Sequence, residues 1–180
     1  MMQSEISGQA VIPTTRFSLR PVRNSDVGLI EMFGEDKRLA QMTTHIPHPL
    51  PPGATAAFLD RVTKSDSEEQ VWAIDGSKDG LGELLGMISL KRVTDQQSEI
   101  SYWVAPNLWN SGLASEAVSA LIAANPHDSS SLVASVFQDN PASAKIVTNM
   151  GFVLIGESEV FSIARKALVD TWDYVLRLKD

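Results

Sequence analysis

Residues 106–117 read Pro106-Asn107-Leu108-Trp109-Asn110-Ser111-Gly112-Leu113-Ala114-Ser115-Glu116-Ala117. They follow a run typical of a strand, 99–104, and open a run typical of a helix, 113–124. A turn of small residues before a helix collects backbone N–H groups that have no partner inside the helix. Two interpretations fit: a binding site for an anion, or an ordinary strand-to-helix turn in which Gly112 sets the backbone direction.

The composition indicates one globular domain. The chain has 180 residues, of which 43% are hydrophobic and 21% are charged, and this suits a single domain with a sizeable core. The absence of cysteine excludes disulfides, thiolate metal sites and a cysteine nucleophile. The histidines, His45, His48 and His127, have no metal-binding helical spacing, so we expect no metal.

The charge and the apolar pattern limit the partners. A net charge of −7 argues against a nucleic-acid partner and mildly favours a cationic one. No apolar run approaches the roughly 20 residues that span a bilayer, so we expect no membrane partner. Residues 1–10 lack the basic start and the apolar block of a signal peptide, and we therefore expect a cytoplasmic protein.

Periodicity and turn residues predict one mixed sheet with helices on it. The predicted strands are 16–22, 70–75, 84–92, 98–104, 132–137, 152–160 and 171–178. The predicted helices are 24–33, a broken piece over 36–42, 54–64, 113–124 and 140–150. We expect residues 1–13 to form a flexible arm, and residues 14–180 to form a single α/β (α+β) domain with six to seven mostly antiparallel strands and about four helices.

Three stretches of the sequence carry a family resemblance. They are Thr15-Arg16-Phe17-Ser18-Leu19-Arg20, then Trp109-x-x-Gly112-x-Ala114, and then Asn140-x-x-Ser143 followed by Met150-Gly151-Phe152. In this order they resemble the first strand, the acetyl-CoA pyrophosphate loop and the fourth helix of the GCN5-related N-acetyltransferase (GNAT) family. The likeness is to its RimJ/RimL-like branch, which acetylates ribosomal-protein N-termini. The resemblance implies splayed fourth and fifth strands and acetyl-CoA as co-substrate.

The resemblance also implies how the loop holds the cofactor. The backbone N–H groups facing the pyrophosphate, at the positive end of the helix dipole, would be those of Asn110, Ser111, Gly112, Leu113 and Ala114. Trp109 stands where the family often has Gln or Arg. No Lys or Arg occurs in residues 93–144, so we expect backbone dipoles to bind the pyrophosphate, with Lys145 as the nearest cation in sequence.

The pantetheine arm of the cofactor has its own expected partners. By the same resemblance it lies between the splayed strands, where the backbone of Trp103 and Val104 would pair with its amides and Asn140 would bind it from the other side. The alternative role of Asn140, an N-cap before Pro141, is compatible with this one.

Two residues are candidates for catalysis. Ser143 stands where the ribosomal branch has a serine proposed to protonate the CoA thiolate, while Val147 occupies the position of the tyrosine that many family members use. The alternative for Ser143 is a hydroxyl bonded within its own helix. Glu99 matches a general-base position of the family and is otherwise a solvated strand-end acid. Glu157 and Glu159 are weaker candidates for the base.

The expected function is acetyl-CoA-dependent N-acetylation by direct attack of a primary amine, on a protein N-terminus or a small molecule, on the thioester. At pH 7 an α-amine of pKa about 7.8 is roughly 10–15% neutral, so its attack depends little on deprotonation by a general base. His45 and His48 lie in a Pro-rich segment where they either contact substrate or simply pack in the loop. The alternative function is an acyl-CoA-binding or interaction module with weak or no turnover. A homodimer through the last strands is also expected.

Overall fold

The computed structural model of the chain describes residues 9–179. Its strands are β1 (Ile12–Pro13), β2 (Ser18–Pro21), β3 (Glu69–Asp75), β4 (Gly86–Thr94), β5 (Gln97–Val104), β6 (Ser131–Phe137), β7 (Val153–Ser162) and β8 (Ala167–Arg177). Its α-helices are α1 (Val27–Gly34), α2 (Lys37–Ala40), α3 (Ala54–Val62), α4 (Leu113–Ala124) and α5 (Pro141–Asn149). The strands form one sheet in the order β1-β2-β3-β4-β5-β6-β8-β7.

The architecture confirms the predicted fold class, with more elements than expected. Every neighbouring pair of strands is antiparallel except β5 and β6, which are parallel. The described range has eight strands where six to seven were predicted. The added strand is β1, and the added helix is α2, which lies in the segment 36–42 that was predicted as a broken piece.

The described part of the expected N-terminal arm packs on the sheet. Ile12 pairs with Leu19 of β2. Before it, Gln9 Nε2 donates to the Val71 carbonyl at 2.7 Å, and Trp72 Nε1 donates to the Ala10 carbonyl at 2.9 Å. Strand pairing of β1 and two side-chain hydrogen bonds therefore hold described residues of this segment against the sheet. Residues 1–8 lie outside the described range, and the flexible arm stays a prediction.

The two faces of the sheet carry two cores. Side chains alternate between the faces along each strand, so that Trp72 packs under α4 and α5 while its neighbour Val71 packs under α1 and α3. Both side chains are almost fully buried, and burying a side chain of this size contributes roughly 1.5–3 kcal/mol. The helices are thereby held on opposite faces of β3, β4 and β5.

A gap opens in the sheet between β5 and β6. These strands pair at only three positions, Gln97 with Ser131, Ser98 with Leu132 and Glu99 with Val133. Beyond Glu99, β5 stays paired with β4 as far as Val104, and β6 stays paired with β8 as far as Phe137. The two strands therefore diverge after Glu99, and this confirms the predicted splay of the fourth and fifth strands, which become β5 and β6 when β1 is counted.

A buried ion cluster that the motif analysis did not assign fixes the corner next to α1. Arg20 donates to Asp26 at 2.8 and 2.9 Å and to Asp75 at 2.7 Å. The cluster ties β2 to the turn before α1 and to the end of β3. Within residues 9–179 no helix is long and apolar enough to cross a bilayer.

Candidate active site

A cavity of about 800 Å³ lies where β5 and β6 diverge. Its lining includes residues of both strands, of the loop before α4, of α5 and of the segment between α2 and α3. The volume is in the range of small-molecule and cofactor sites. The cavity is therefore the candidate active site, and the splay of the sheet creates it.

The loop 106–117 presents unpaired backbone donors at this cavity. A short 3₁₀ turn, Pro106–Leu108, leads into Asn110 and Gly112, whose φ angles of 62° and 79° turn the backbone into α4. The N–H groups of residues 110–115 have no acceptor among the described residues 9–179. The loop and the first turn of α4 therefore offer donors to an anion, which supports the first of the two interpretations of this stretch.

A basic side chain does reach this loop, contrary to the expectation from residues 93–144. Arg16 Nη1 donates to the Ser111 carbonyl at 3.0 Å, and Arg16 Nε pairs with Glu116 at 3.0 Å. A Cβ atom added to Gly112 would lie 3.4 Å from Arg16 Nη2. The prediction missed Arg16 because it comes from the turn before β2, 95 residues from Ser111, and only the fold brings the two together.

Trp109 closes the end of β5. Its indole Nε1 donates to the Val104 carbonyl at 2.8 Å, and the Arg38 guanidinium lies 6.0 Å from the ring centroid. Trp109 as a whole residue is 41% exposed. Trp109 thus contributes a fixed wall beside the loop, and a second cation, Arg38, stands near it although Arg38 is paired with Asp36.

The backbone of β5 decides which residues face the gap. Ala105 N donates to the Leu85 carbonyl at 2.9 Å, so in this antiparallel ladder the N–H and C=O of Val104 point away from β4 and into the gap. The N–H and C=O of Tyr102, two residues earlier in β5, also point into the gap. The Trp103 carbonyl instead faces β4, because a Cβ added to Gly86 would lie 2.2 Å from it. Of the predicted pair, the Val104 backbone therefore faces the gap and the Trp103 backbone faces β4, and Tyr102 is the other residue here whose backbone faces the gap. The pairing of these residues with pantetheine stays a prediction.

Two hydroxyl groups meet at the cavity. Tyr102 Oη lies 2.8 Å from Ser143 Oγ, and both residues line the cavity. Burial raises the pKa of the Tyr102 phenol, and the hydrogen bond between Tyr102 and Ser143 opposes this shift only in part. Ser143 is thus bonded to β5 and not within its own helix, while Val147 is buried in the core. The motif pattern predicts a role for Ser143 but gives no signal for Tyr102, which lies 41 residues away in the sequence.

The remaining residues of α5 have simpler surroundings. Asn140 Oδ1 accepts from the Ser143 backbone N–H at 3.2 Å, which makes Asn140 the N-cap of α5, and its side chain also lines the cavity. Lys145 lies on the exposed face of α5 at the cavity edge. Both residues therefore border the cavity.

The structure separates the carboxylate candidates from the cavity. Glu99 sits at the last β5–β6 pair, opposite Lys91 of β4, and does not belong to the described lining. Ser101, two residues further along the same face, does line the cavity. Glu157 and Glu159 are exposed on β7, the edge strand beyond β8. The geometry thus brings Ser143 and the loop together but leaves these acids outside.

The histidines lie in three different settings. His45 lines the cavity, and His48 Nδ1 is buried without a partner among the described residues. His127 is not among the lining residues of the cavity and is bonded to Ser98 Oγ at 2.7 Å and to Gln70 Oε1 at 3.1 Å. Burial, and then the charge of Arg92, lowers its pKa from 6.5 to about 4. Within residues 9–179 no three His, Asp or Glu side chains are grouped to hold a metal.

A family sequence profile and several solved structures match this chain. The sequence profile of the acetyltransferase (GNAT) domain matches residues 16–153. No curated protein sequence matches the chain at a significant level.

Solved structures share the fold at low sequence identity. RimL, a ribosomal L7/L12 alpha-N-protein acetyltransferase in complex with coenzyme A, is 19% identical, with a TM-score of 0.81 and coverage of 94% of this chain and 98% of that chain. Spermidine N-acetyltransferase from Vibrio cholerae, in complex with CoA and spermine, is 15% identical, with a TM-score of 0.77 and coverage of 92% and 97%. A GNAT-family acetyltransferase from Bacillus anthracis is 16% identical, with a TM-score of 0.76 and coverage of 95% and 100%.

The domain match, the shared fold and the site agree with one another. The matched residues 16–153 run from Arg16 to the start of β7, so they contain the loop, the divergent strands and the hydroxyl pair. The chain therefore belongs to the GNAT acetyltransferase family.

Proposed function

We propose that the protein transfers the acetyl group of acetyl-CoA to a primary amine. The observation that carries this proposal is the gap between β5 and β6, which ends at a loop whose N–H groups at residues 110–115 have no protein acceptor. Such a gap suits an extended pantetheine arm, and such a loop suits the pyrophosphate. Gly112 keeps the loop open, because any side chain there would be strained at a φ of 79°.

Different residues are proposed to bind the different parts of the cofactor. The N–H groups that bind the pyrophosphate belong to Asn110, Ser111, Gly112, Leu113 and Ala114. The backbone of Tyr102 and Val104 faces the pantetheine amides, although the Val104 carbonyl already accepts from Trp109. Asn140 and Lys145 complete the proposed set from α5.

The proposed reaction is direct attack of the neutral amine on the thioester. A C–N bond forms, the C–S bond breaks, and the departing thiolate takes a proton from Ser143. Ser143 regains its proton from solvent. The ammonium proton of the intermediate leaves toward Glu99 through water and from there to solvent, since Glu99 lies outside the cavity lining. Changing Glu99 to Gln should flatten the acid limb of the pH–rate profile, and an unchanged profile would assign Glu99 a structural role only.

A second function, acyl-CoA binding without turnover, has one observation in its favour. Arg16 is the cation nearest the loop, and Glu116 neutralises it at 3.0 Å, so the loop gains little positive charge. Weak cofactor binding would follow from that pairing. Binding in solution therefore has to be measured separately from turnover.

One experiment tests both functions. The protein is incubated with acetyl-CoA and a panel of primary amines, and thiol release is followed, with Gly112→Glu as the control that fills the loop. Release that depends on the amine and is lost in the control supports acetyl transfer. Equal rates in both proteins would refute catalysis at this site. Calorimetric binding of CoA without any release would support the binding module.

Membership of the RimJ/RimL-like branch and dimer formation stay predictions. The free edge strand β7 and its neighbour β8 expose several large apolar side chains, among them Val153, Ile155, Phe161 and Leu168. A dimer through this edge is consistent with those side chains. The molar mass in solution, measured by light scattering, tests it, and a monomer at all concentrations would refute it.

A further inference from the structure

The half of the cavity that faces α1 and α3 has an almost wholly apolar wall. It includes Met42, Ile46, Leu50, Phe58 and Trp103. Trp103 also packs edge-on against Phe33, with ring centroids 6.2 Å apart. A bound molecule that enters this half meets hydrocarbon on most sides.

Only two residues of the described cavity lining carry a formal charge, Glu69 and Lys145. Glu69 Oε2 accepts from Arg61 Nη1 at 3.0 Å, and the Arg61 guanidinium in turn stacks 5.5 Å from the Phe58 ring. This ion pair neutralises the negative charge of Glu69. Lys145 is itself a cation and repels a second one. The lining therefore supplies no uncompensated carboxylate to a cationic group.

Besides Glu69, the polar side chains of this half are the imidazole of His45 and several neutral hydroxyls. Ser89 Oγ and Ser101 Oγ lie 2.7 Å apart on neighbouring strands, and Thr43 and Thr44 lie in the segment between α2 and α3. Hydroxyl groups can accept from the N–H of one amine. They do not offset the free energy of taking an additional ammonium out of water.

We propose, on the basis of the proposed function, that the acceptor is a primary amine with a single amino group and an apolar body. Free aliphatic or aromatic monoamines and peptide N-termini with apolar side chains share this chemistry. A polyamine does not fit, because its further ammonium groups would enter the cavity without a counter-charge.

The experiment compares kcat/KM for three acceptors with acetyl-CoA held saturating: phenethylamine, a short peptide with an apolar N-terminal residue and a free α-amine, and spermidine. The two apolar acceptors should exceed spermidine by at least about tenfold. The ratio of kcat/KM for phenethylamine to kcat/KM for the peptide then shows whether a free monoamine or a peptide N-terminus is the better acceptor. Spermidine turned over as well as either apolar acceptor would overturn the inference.

A matched pair of variants keeps the test specific. Thr44 lines the cavity outside both hydrophobic cores, so Thr44→Glu adds a carboxylate there and Thr44→Gln adds the same bulk without charge. The ratio of spermidine to phenethylamine should rise severalfold in Thr44→Glu relative to Thr44→Gln. Equal ratios would contradict the inference. Turnover of no amine at all would instead refute the proposed function, and the inference with it, whereas turnover led by spermidine would leave the function intact.

Discussion

The contact between Tyr102 and Ser143 makes a sharp prediction about the proton that reaches the departing thiolate. The two hydroxyl oxygens lie 2.8 Å apart, and burial raises the pKa of the phenol, so Tyr102 keeps its proton throughout the neutral range. A phenol donates a hydrogen bond better than it accepts one. We therefore expect Tyr102 to donate to Ser143 Oγ and to leave the Ser143 proton free to point at the sulfur.

The expected decrease in kcat follows from the one hydrogen bond that Tyr102→Phe removes. A neutral hydrogen bond contributes about 0.5–1.5 kcal/mol net, so Tyr102→Phe should lower kcat by roughly 2- to 12-fold with little change in KM for acetyl-CoA. Ser143→Ala removes the proton donor itself and should lower kcat by about 100-fold or more. Since Tyr102 acts through Ser143, the double variant should be no slower than Ser143→Ala within about twofold.

The assay is steady-state thiol release at saturating amine, with kcat and KM measured for each variant. The chain has only one other tyrosine, Tyr174, which is buried in the core of β8. Tyr174→Phe is therefore the matched control and should keep kcat unchanged. Multiplying effects in the double variant, or a wild-type kcat in Tyr102→Phe, would refute the coupling.

Three further predictions concern charge. The pKa of His127 is lowered to about 4 from 6.5, so its neutral form stabilises the fold fully above pH 6.5 and this contribution is lost as pH falls toward 4. The pKa shift of a fully buried group would correspond to about 3 kcal/mol of unfolding free energy, and the partial exposure of His127 reduces this to about 1–2 kcal/mol. Urea titrations should therefore show that the unfolding free energy depends less on pH in His127→Gln than in the wild type. An equal pH dependence in both proteins would contradict this prediction. Glu116→Gln releases Arg16 beside the loop and should tighten CoA binding severalfold at low salt, while Arg16→Gln should weaken it; calorimetry showing no change in either would exclude Arg16 from the site. Arg20→Met leaves the buried Asp26 without its partner and should lower the unfolding free energy by about 3–5 kcal/mol in denaturant titrations, and a loss below 1 kcal/mol would contradict a structural role for this cluster.

The sequence determined the features that depend on neighbouring residues. Asn140 and Pro141 start α5 because a cap and a first-turn proline act within one helical turn. Gly112 starts α4 because its backbone angles suit a tight turn, so the unpaired N–H groups after it follow from local sequence alone. Strand-forming sequence patterns likewise predicted β3, β4 and β5, and three short motifs in the right order carried the family resemblance.

Only the tertiary structure decided which side chains meet. Arg16 reaches Ser111 and Tyr102 reaches Ser143 because strand order places them side by side, and no periodicity in one segment contains that order. The orientation of the Val104 backbone depends on the pairing of β5 with β4, which a strand pattern leaves open. A turn is set by forces between adjacent residues, whereas a site is set by long-range packing, and this is why the sequence predicted the anion loop but not the cation and the hydroxyl pair beside it.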